Sequence, residues 1–461
     1  MPALVLTHGY FLQEDPKELQ IMKPYVPLGI LYICSHLRAK DHDVEVFDST
    51  FSSRAELFSY LKTERPTVLG IYANLMTRKN VIEILRVATE AGWKTIVGGP
   101  EPGAYVEEYL DSGADVVVLG EGEITVEELL EVLPRGTDLS KVKGIAYRDA
   151  NGVSQHTAPR EQIRNLDVQP WPARDAVDVD RYVNTWRSAH GKGSVSFITA
   201  RGCPYKCRWC SHQVFGQTHR RRNPLQVVDE VEWLLSRYQP DMVWVADDVF
   251  TIHHGWLRQY AAEMKRRSLH IPFECITRAD RMNEEVVDLL AELGCFRVWI
   301  GSESGSQRIL DAMERGVTVE EVQHGIEMAR SRGIASGMFL MWGYEGEELP
   351  DIEATIEHVK RSDPDVFFTT VAYPIKGTPY YEKIASQLLQ IKPWNESSDR
   401  ELVVAGRHSS RFYEFADRLL RDEVELARMQ RKAEQGSFID LQARIADTRA
   451  ALHASASEVE A

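Results

Sequence analysis

Short apolar runs alternate with amphipathic stretches through most of this sequence, and that alternation limits the possible folds more than any other feature. Up to about residue 135 the runs are Ala3 to Thr7, Val44 to Asp48, Val68 to Tyr72, Lys94 to Val97 and Val116 to Leu119. Between them lie stretches such as PLGILYICSHLRAK and TRKNVIEILRVATEAG, helical in spacing and long enough to cross back over a sheet. Five strands joined in this way predict an α/β fold with a doubly wound parallel sheet.

Residues 136–190 break the rhythm, and TAPREQIRNLDVQPWPARDAVDVDRY, rich in proline and charge, reads as a surface linker. Alternation resumes with runs at Val195 to Thr199, Met242 to Ala246, Phe273 to Ile276, Phe296 to Ile300, Ser336 to Met341 and Val366 to Ala372. Six β/α units predict a partial (β/α)6 barrel with its active site at the carboxyl ends of the strands. Beyond residue 380 the strand signal gives way to charged helical sequence, FADRLLRDEVELARMQRKAEQ and LQARIADTRAALHASASEVEA. The expected organisation is a first domain at 1–135, a linker at 136–190, a barrel at 191–380 and a small helical C-terminal region at 381–461.

A chain of 461 residues, 43% apolar and 27% charged, suits a globular protein of two or three domains. Its formal net charge of −15 argues against a general nucleic-acid binder, because phosphate binding rests on Lys and Arg. No apolar run approaches the roughly 18 residues of a membrane span, and MPALVLTHGYFLQED lacks the pattern of a secretion signal, so a cytoplasmic location is expected. Cys34, Cys275 and Cys295 sit in apolar contexts and read as buried small hydrophobes.

Two sets of residues carry chemistry. Ligands of doubly wound sheets bind beyond the carboxyl ends of the strands, which here hold Thr7-His8-Gly9, Leu75-Met76-Thr77, Gly98-Gly99-Pro100-Glu101 and Gly120-Glu121-Gly122-Glu123. Glycines there let backbone approach a ligand, or simply make tight turns. The second set is Cys203, Cys207 and Cys210, a C-x3-C-x2-C after the first barrel strand. Thiolates so spaced can converge on zinc or an iron–sulfur cluster. His212 would have to complete a zinc site, and with only Ser211 between it and Cys210 that chelate would be cramped. A [4Fe-4S] cluster held by three cysteines keeps one iron open to an outside ligand.

At these residues the sequence resembles the radical S-adenosylmethionine (SAM) superfamily, in which SAM binds the open iron and is cleaved to a 5′-deoxyadenosyl radical. The resemblance implies that Cys203, Cys207 and Cys210 hold the cluster and that Trp209 packs on adenine, with a core anchor for the loop as the alternative reading of Trp209. Asp247 and Asp248 in VADDVFT match the region that accepts from the SAM ammonium, or cap the following turn. Glu303, with Ser302, matches the ribose-binding position, and Arg278 would meet a SAM carboxylate or form a surface salt bridge. The basic run HRRRNP, 219–224, reads as a solvated turn or a contact for an anion. A low-potential electron donor such as flavodoxin or ferredoxin is implied.

A doubly wound, Rossmann-like domain ahead of such a barrel is similar to the cobalamin-binding radical SAM group, which includes anaerobic magnesium-protoporphyrin ester cyclases and many methyltransferases. This implies cobalamin as a third cofactor, with Leu75 to Thr77, Gly98 to Glu101 and Gly120 to Glu123 against the corrin or its tail. The Asp-x-His-x-x-Gly pattern of an axial histidine is missing, and His8 reads as a cap or core residue more than as a cobalt ligand. The function implied is methylation of an unactivated carbon of a small molecule. A radical cyclase, oxidase or rearrangement enzyme is the alternative, and a non-catalytic cobalamin- or zinc-binding regulator a more distant one. The residues performing the catalytic step on the substrate are not readable from the sequence.

Overall fold

Each of the first five apolar runs forms a strand: β1 (Leu4–His8), β2 (Val44–Val46), β3 (Val68–Tyr72), β4 (Lys94–Gly98) and β5 (Val116–Val118). They are parallel, in the order β2-β1-β3-β4-β5, so the strand order reverses between β1 and β3. Both faces are covered, which is why the strands read as continuous apolar runs. Val5, Leu69, Ile71, Val97 and Val117 pack with Leu57, Leu61, Ile84 and Leu85 from the helices at Arg54–Thr63 and Arg78–Glu90. Leu4, Leu6, Val68, Ile96 and Val116 pack with Ile30, Leu37, Val126 and Leu129 from the helices at Leu28–Arg38 and Glu123–Val132.

The computed structural model describes residues 3–432 and 438–460. It divides into two units, one of Met1–Pro204, Ser211–Trp244 and Lys392–Asp399, the other of Tyr205–Cys210, Val245–Ile391 and Arg400–Ala461. In the first unit the stretch read as a linker contains structure of its own. Strands β6 (Ile145–Arg148) and β7 (Ser154–His156) form a hairpin that extends the first sheet antiparallel to β5. Asp149 ties the turn by accepting from the N–H groups of Asn151 and Val153. Strands this short at a sheet edge leave little alternation to detect. A helix at Val179–His190 follows.

The six later runs give β8 (Ser194–Phe197), then, beyond a short clip of β9 (Ala200–Arg201) and β10 (Arg220–Arg221), β11 (Met242–Val245), β12 (Phe273–Thr277), β13 (Cys295–Glu303), β14 (Ala335–Trp342) and β15 (Val366–Val371). In the second unit β12 to β15 pair in parallel and in chain order. Val298, Ile300, Met338 and Leu340 on one face are at most 1% exposed, where the helix at Val319–Ser331 packs on β13 and β14. The other face carries Trp299, Phe339 and Phe368, whose rings stack with centroids 5.2 to 6.4 Å apart.

Helices at Ser410–Arg431 and Ile439–Ser455 form the expected C-terminal region. Ala433 to Gln435 of the predicted first helix, and Ala461, lie outside the described residues. Contrary to the expectation of no strands after residue 380, β16 (Leu388–Leu389) and β17 (Val403–Val404) pair there, each too short to leave a pattern. No helix among the described residues is long and apolar enough to cross a membrane.

Candidate functional site

The cysteine loop, residues 202–219, is closed at its base. Ala200 and Arg201 pair antiparallel with Arg221 and Arg220, and Gly202 turns the chain with φ of +81°, at a point where a Cβ would clash with the Thr218 carbonyl. Charge fastens the clip. Arg201 donates to Glu121 at 2.7 Å and to Glu123 at 2.5 Å, and Arg220 donates to the other Glu121 oxygen at 2.7 Å. Further along the run, Arg221 donates to Thr199, and Arg222 pairs with the fully buried Glu230. The run is not a solvated turn, since Arg222 is buried and Arg220 and Arg221 are half-buried, but Arg220 keeps two buried nitrogens, Nε and Nη2, that make no hydrogen bond, so its reading as an anion contact is not overturned.

The second unit surrounds Cys207. Its thiol and that of Cys210 share a hydrogen bond, which with the nearby Arg278 charge outweighs burial and brings Cys207 down to about 7. Arg278 Nη1 points at Cys207 Sγ from 3.9 Å and Arg315 Nη1 from 3.8 Å. Arg278 is 2% exposed, so it is not in a surface salt bridge. Its remaining donors go to Asp280 at 2.8 Å and to the carbonyls of Arg315 and Gly316, and Tyr205 lies over its guanidinium at 3.6 Å. Those partners take four of its five N–H groups. Cys203 lies on the same loop, half-buried, and none of the three cysteines is in a disulfide.

Glu303 ends β13 after a register shift between Gly301 and Glu303, and its backbone is left-handed, with φ of +64°. Such a bulge re-aims a side chain, and a non-glycine residue held there is strained. Burial, with the Cys207 charge nearby, pushes its carboxyl up to about 8. Ser302 turns the opposite way. Its hydroxyl is fully buried 2.9 Å from His358 Nε2, so its side chain is occupied by a core partner. Trp209 is half-buried against a cluster of Met341, Tyr344, Tyr380 and Ile309, in keeping with its reading as an anchor for the loop. Asp247 is 2% exposed while Asp248 is exposed.

No three metal-ligating side chains stand assembled among the described residues, but the chemistry of the groups around Cys207 and Cys210 fits an iron–sulfur cluster. A thiol lowered, as Cys207 is, by a hydrogen bond from a second thiol and by a nearby guanidinium is poised to bind metal. Arg315 Nε, buried, has no hydrogen-bond partner, a costly orphan unless a further acceptor occupies the space beside it. Arg315, Tyr205 and His358 were not anticipated.

At the first sheet, Asn74 accepts from the N–H groups of Met76 and Thr77, holding half-buried Leu75 and 54% exposed Met76 at the end of β3. Gly98, Gly99 and Pro100 are partly exposed at the end of β4, and Gly99, with φ of +120°, packs too close to the Ala73 carbonyl for any side chain. Glu101 is buried, accepting from Arg78 and from Tyr109 at 2.7 Å. With Glu121 and Glu123 engaged by the clip, these loops offer a ligand mainly Met76 and the bare backbone of Gly98, Gly99, Gly120 and Gly122, a surface suited to a large, flat cofactor such as a corrin. His8 is not available to a metal: Nε2 meets Asp48 at 3.1 Å and Nδ1 accepts from the Tyr10 N–H at 3.2 Å.

The Radical SAM superfamily model matches residues 197–359, and the B12 binding domain model residues 21–130. A relative from Pyrococcus horikoshii, described as an uncharacterized methyltransferase, is 30% identical over 394 residues, covering 83% of each chain. This chain belongs to the B12-binding radical SAM family. The family also reaches an anaerobic magnesium-protoporphyrin IX monomethyl ester cyclase of Rubrivivax gelatinosus, 24% identical to this radical SAM protein over 75% of its length and 64% of the cyclase. The radical SAM methyltransferase TsrM of Kitasatospora setae, solved with cobalamin and a [4Fe-4S] cluster, shares the fold with a TM-score of 0.70 at 22% identity, over 84% of this chain and 78% of TsrM.

Proposed function

We propose that this chain is a cobalamin-dependent radical SAM methyltransferase acting on an unactivated carbon of a small molecule. The observation that carries the proposal is the pairing, in one chain, of glycine-bare strand ends on a 2-1-3-4-5 sheet with a cysteine loop closed on that sheet by Arg201 and Glu121. The domains are assigned as 1–135 for cobalamin, 136–190 as connection, 191–380 for radical chemistry and 381–461 as the helical region. When bound, the cluster and SAM supply a 5′-deoxyadenosyl radical and the cobalamin a methyl group.

Cys203, Cys207 and Cys210 hold the cluster, with Trp209 bracing their loop from behind. Glu303 and Asp247 face SAM, Glu303 aimed by its bulge, and Asp248 and Ser302 support the adjoining backbone. Arg278 positions the cluster loop. Leu75 to Thr77, Gly98 to Glu101 and Gly120 to Glu123 shape the corrin surface, chiefly through backbone. An external low-potential flavodoxin or ferredoxin supplies electrons in the cytoplasm.

Anaerobic turnover with SAM, cobalamin and reductant tests this reading. A methylase forms both 5′-deoxyadenosine and S-adenosylhomocysteine, whereas deoxyadenosine alone favours the second reading, a radical cyclase, which the Rubrivivax relative supports. Changing Cys203, Cys207 and Cys210 to Ala should abolish bound iron and sulfide; one zinc per chain without sulfide would overturn both.

A further inference from the structure

We propose that Arg315, assisted by Arg278, makes the cluster easier to reduce by placing two buried guanidinium groups against one cluster thiolate. This rests on the reading that Cys203, Cys207 and Cys210 hold a [4Fe-4S] cluster.

The two arginines approach Cys207 Sγ from different parts of the second unit, Arg278 from the turn after β12 and Arg315 from the turn before the helix at Val319–Ser331. They are 2% and 6% exposed. Their cost is large, since a guanidinium removed from water needs partners. Arg278 has them in Asp280 and two carbonyls, which fix its position and offset part of its charge. Arg315 is less well served. Nη2 donates to the Gly301 carbonyl at 2.8 Å, Nη1 points at Cys207, and Nε has no hydrogen-bond partner, with Glu303 3.8 Å away. The backbone also locks the pair onto the loop: the Arg208 N–H donates to the Met313 carbonyl at 3.1 Å, and Arg208 pairs with Glu314 at 2.7 Å. The turn bearing Arg315 is therefore docked one residue away from Cys207.

Reduction adds one electron, taken from the low-potential donor, to a site already carrying three thiolates. Its negative charge grows by one unit while no bond is made or broken. Cationic N–H groups at the sulfur stabilise the more negative state and so raise the reduction potential.

The test is an EPR-monitored redox titration of full-length protein loaded anaerobically with iron and sulfide, as wild type, Arg315→Gln, Arg315→Lys and Arg278→Gln. Exposed Arg258→Met serves as a remote control. Arg315→Gln should lower the ratio of reduced to oxidised cluster at fixed potential about tenfold, which is about 59 mV for one electron. Arg278→Gln should move it the same way, Arg315→Lys less, and Arg258→Met not at all. A wild-type potential in a fully loaded glutamine variant would overturn the inference. So would failure of both glutamine variants to load while Arg315→Lys loads with the wild-type potential, since the arginines would then hold the cluster without tuning it. If wild type binds no iron and sulfide, the reading of the cysteines falls instead.

Discussion

Arg201 Nη1 lies 2.7 Å from Glu121 Oε1, and through that bond the base of the cysteine loop is fastened to the end of β5. Glu121 also accepts from Arg220 and from the Ile163 N–H, so one buried carboxylate gathers three donors.

Removing that carboxylate should be expensive. Glu121→Ala takes the carboxylate from Arg220 and leaves Arg201 only Glu123, and should destabilise the protein by about 3 kcal/mol, with Glu121→Gln less severe because it still accepts. Urea unfolding followed by tryptophan fluorescence measures the loss, and an unchanged midpoint for Glu121→Ala would contradict the anchoring role.

His8 makes the opposite prediction. Both ring nitrogens are committed, to Asp48 and to the Tyr10 N–H. His8→Gln should therefore leave cobalamin uptake intact, and the EPR spectrum of bound cob(II)alamin should be the same in both proteins. A nitrogen splitting present in wild type and lost in the variant would reverse the assignment.

His358 gives stability a pH dependence. Burial lowers its pKa from 6.5 to about 4, so between those values the unfolded chain takes up a proton that the folded one refuses. Stability is complete above about pH 6.5 and falls with pH by about 1.4 kcal/mol per unit, some 3 kcal/mol in all by pH 4. His358→Gln should lose that increment of the pH slope, as urea midpoints at pH 7.5, 5.5 and 4.5 would reveal.

Glu303, strained and aimed by its bulge, should be needed for SAM turnover but not for cluster assembly. Glu303→Gln should keep its iron and sulfide while forming deoxyadenosine about tenfold more slowly, the cost of one lost hydrogen bond of about 1.4 kcal/mol. Equal rates would remove it from the site.

The β/α alternation was legible because parallel strands covered on both faces are continuously apolar, as in Val116 to Val118. The cysteines were legible by spacing alone. What the sequence hid was pairing at a distance. The acidic loop at 121–123 looked like a ligand loop and the basic run at 219–222 like a solvated turn, yet Glu121 is the partner of Arg220, 99 positions away. Ser302 and Glu303 were placed on the right strand end, but strand alternation does not reveal that the ladder slips there and leaves Ser302 out of the pairing. Arg315 carries no local pattern, since its role exists only once its turn meets the loop at Arg208.

The antiparallel clip of Ala200–Arg201 with Arg220–Arg221 has a consequence for maturation. In small metal-binding domains the ion organises an otherwise unfolded chain. Here the ends of the ligand segment are already joined, and the entropy of closing that ring is borne by the protein's own hydrogen bonds and ion pairs. On the proposed reading of the cysteines, loss of iron and sulfide would leave the base of their loop closed, so that only the loop itself has to be reordered on reloading.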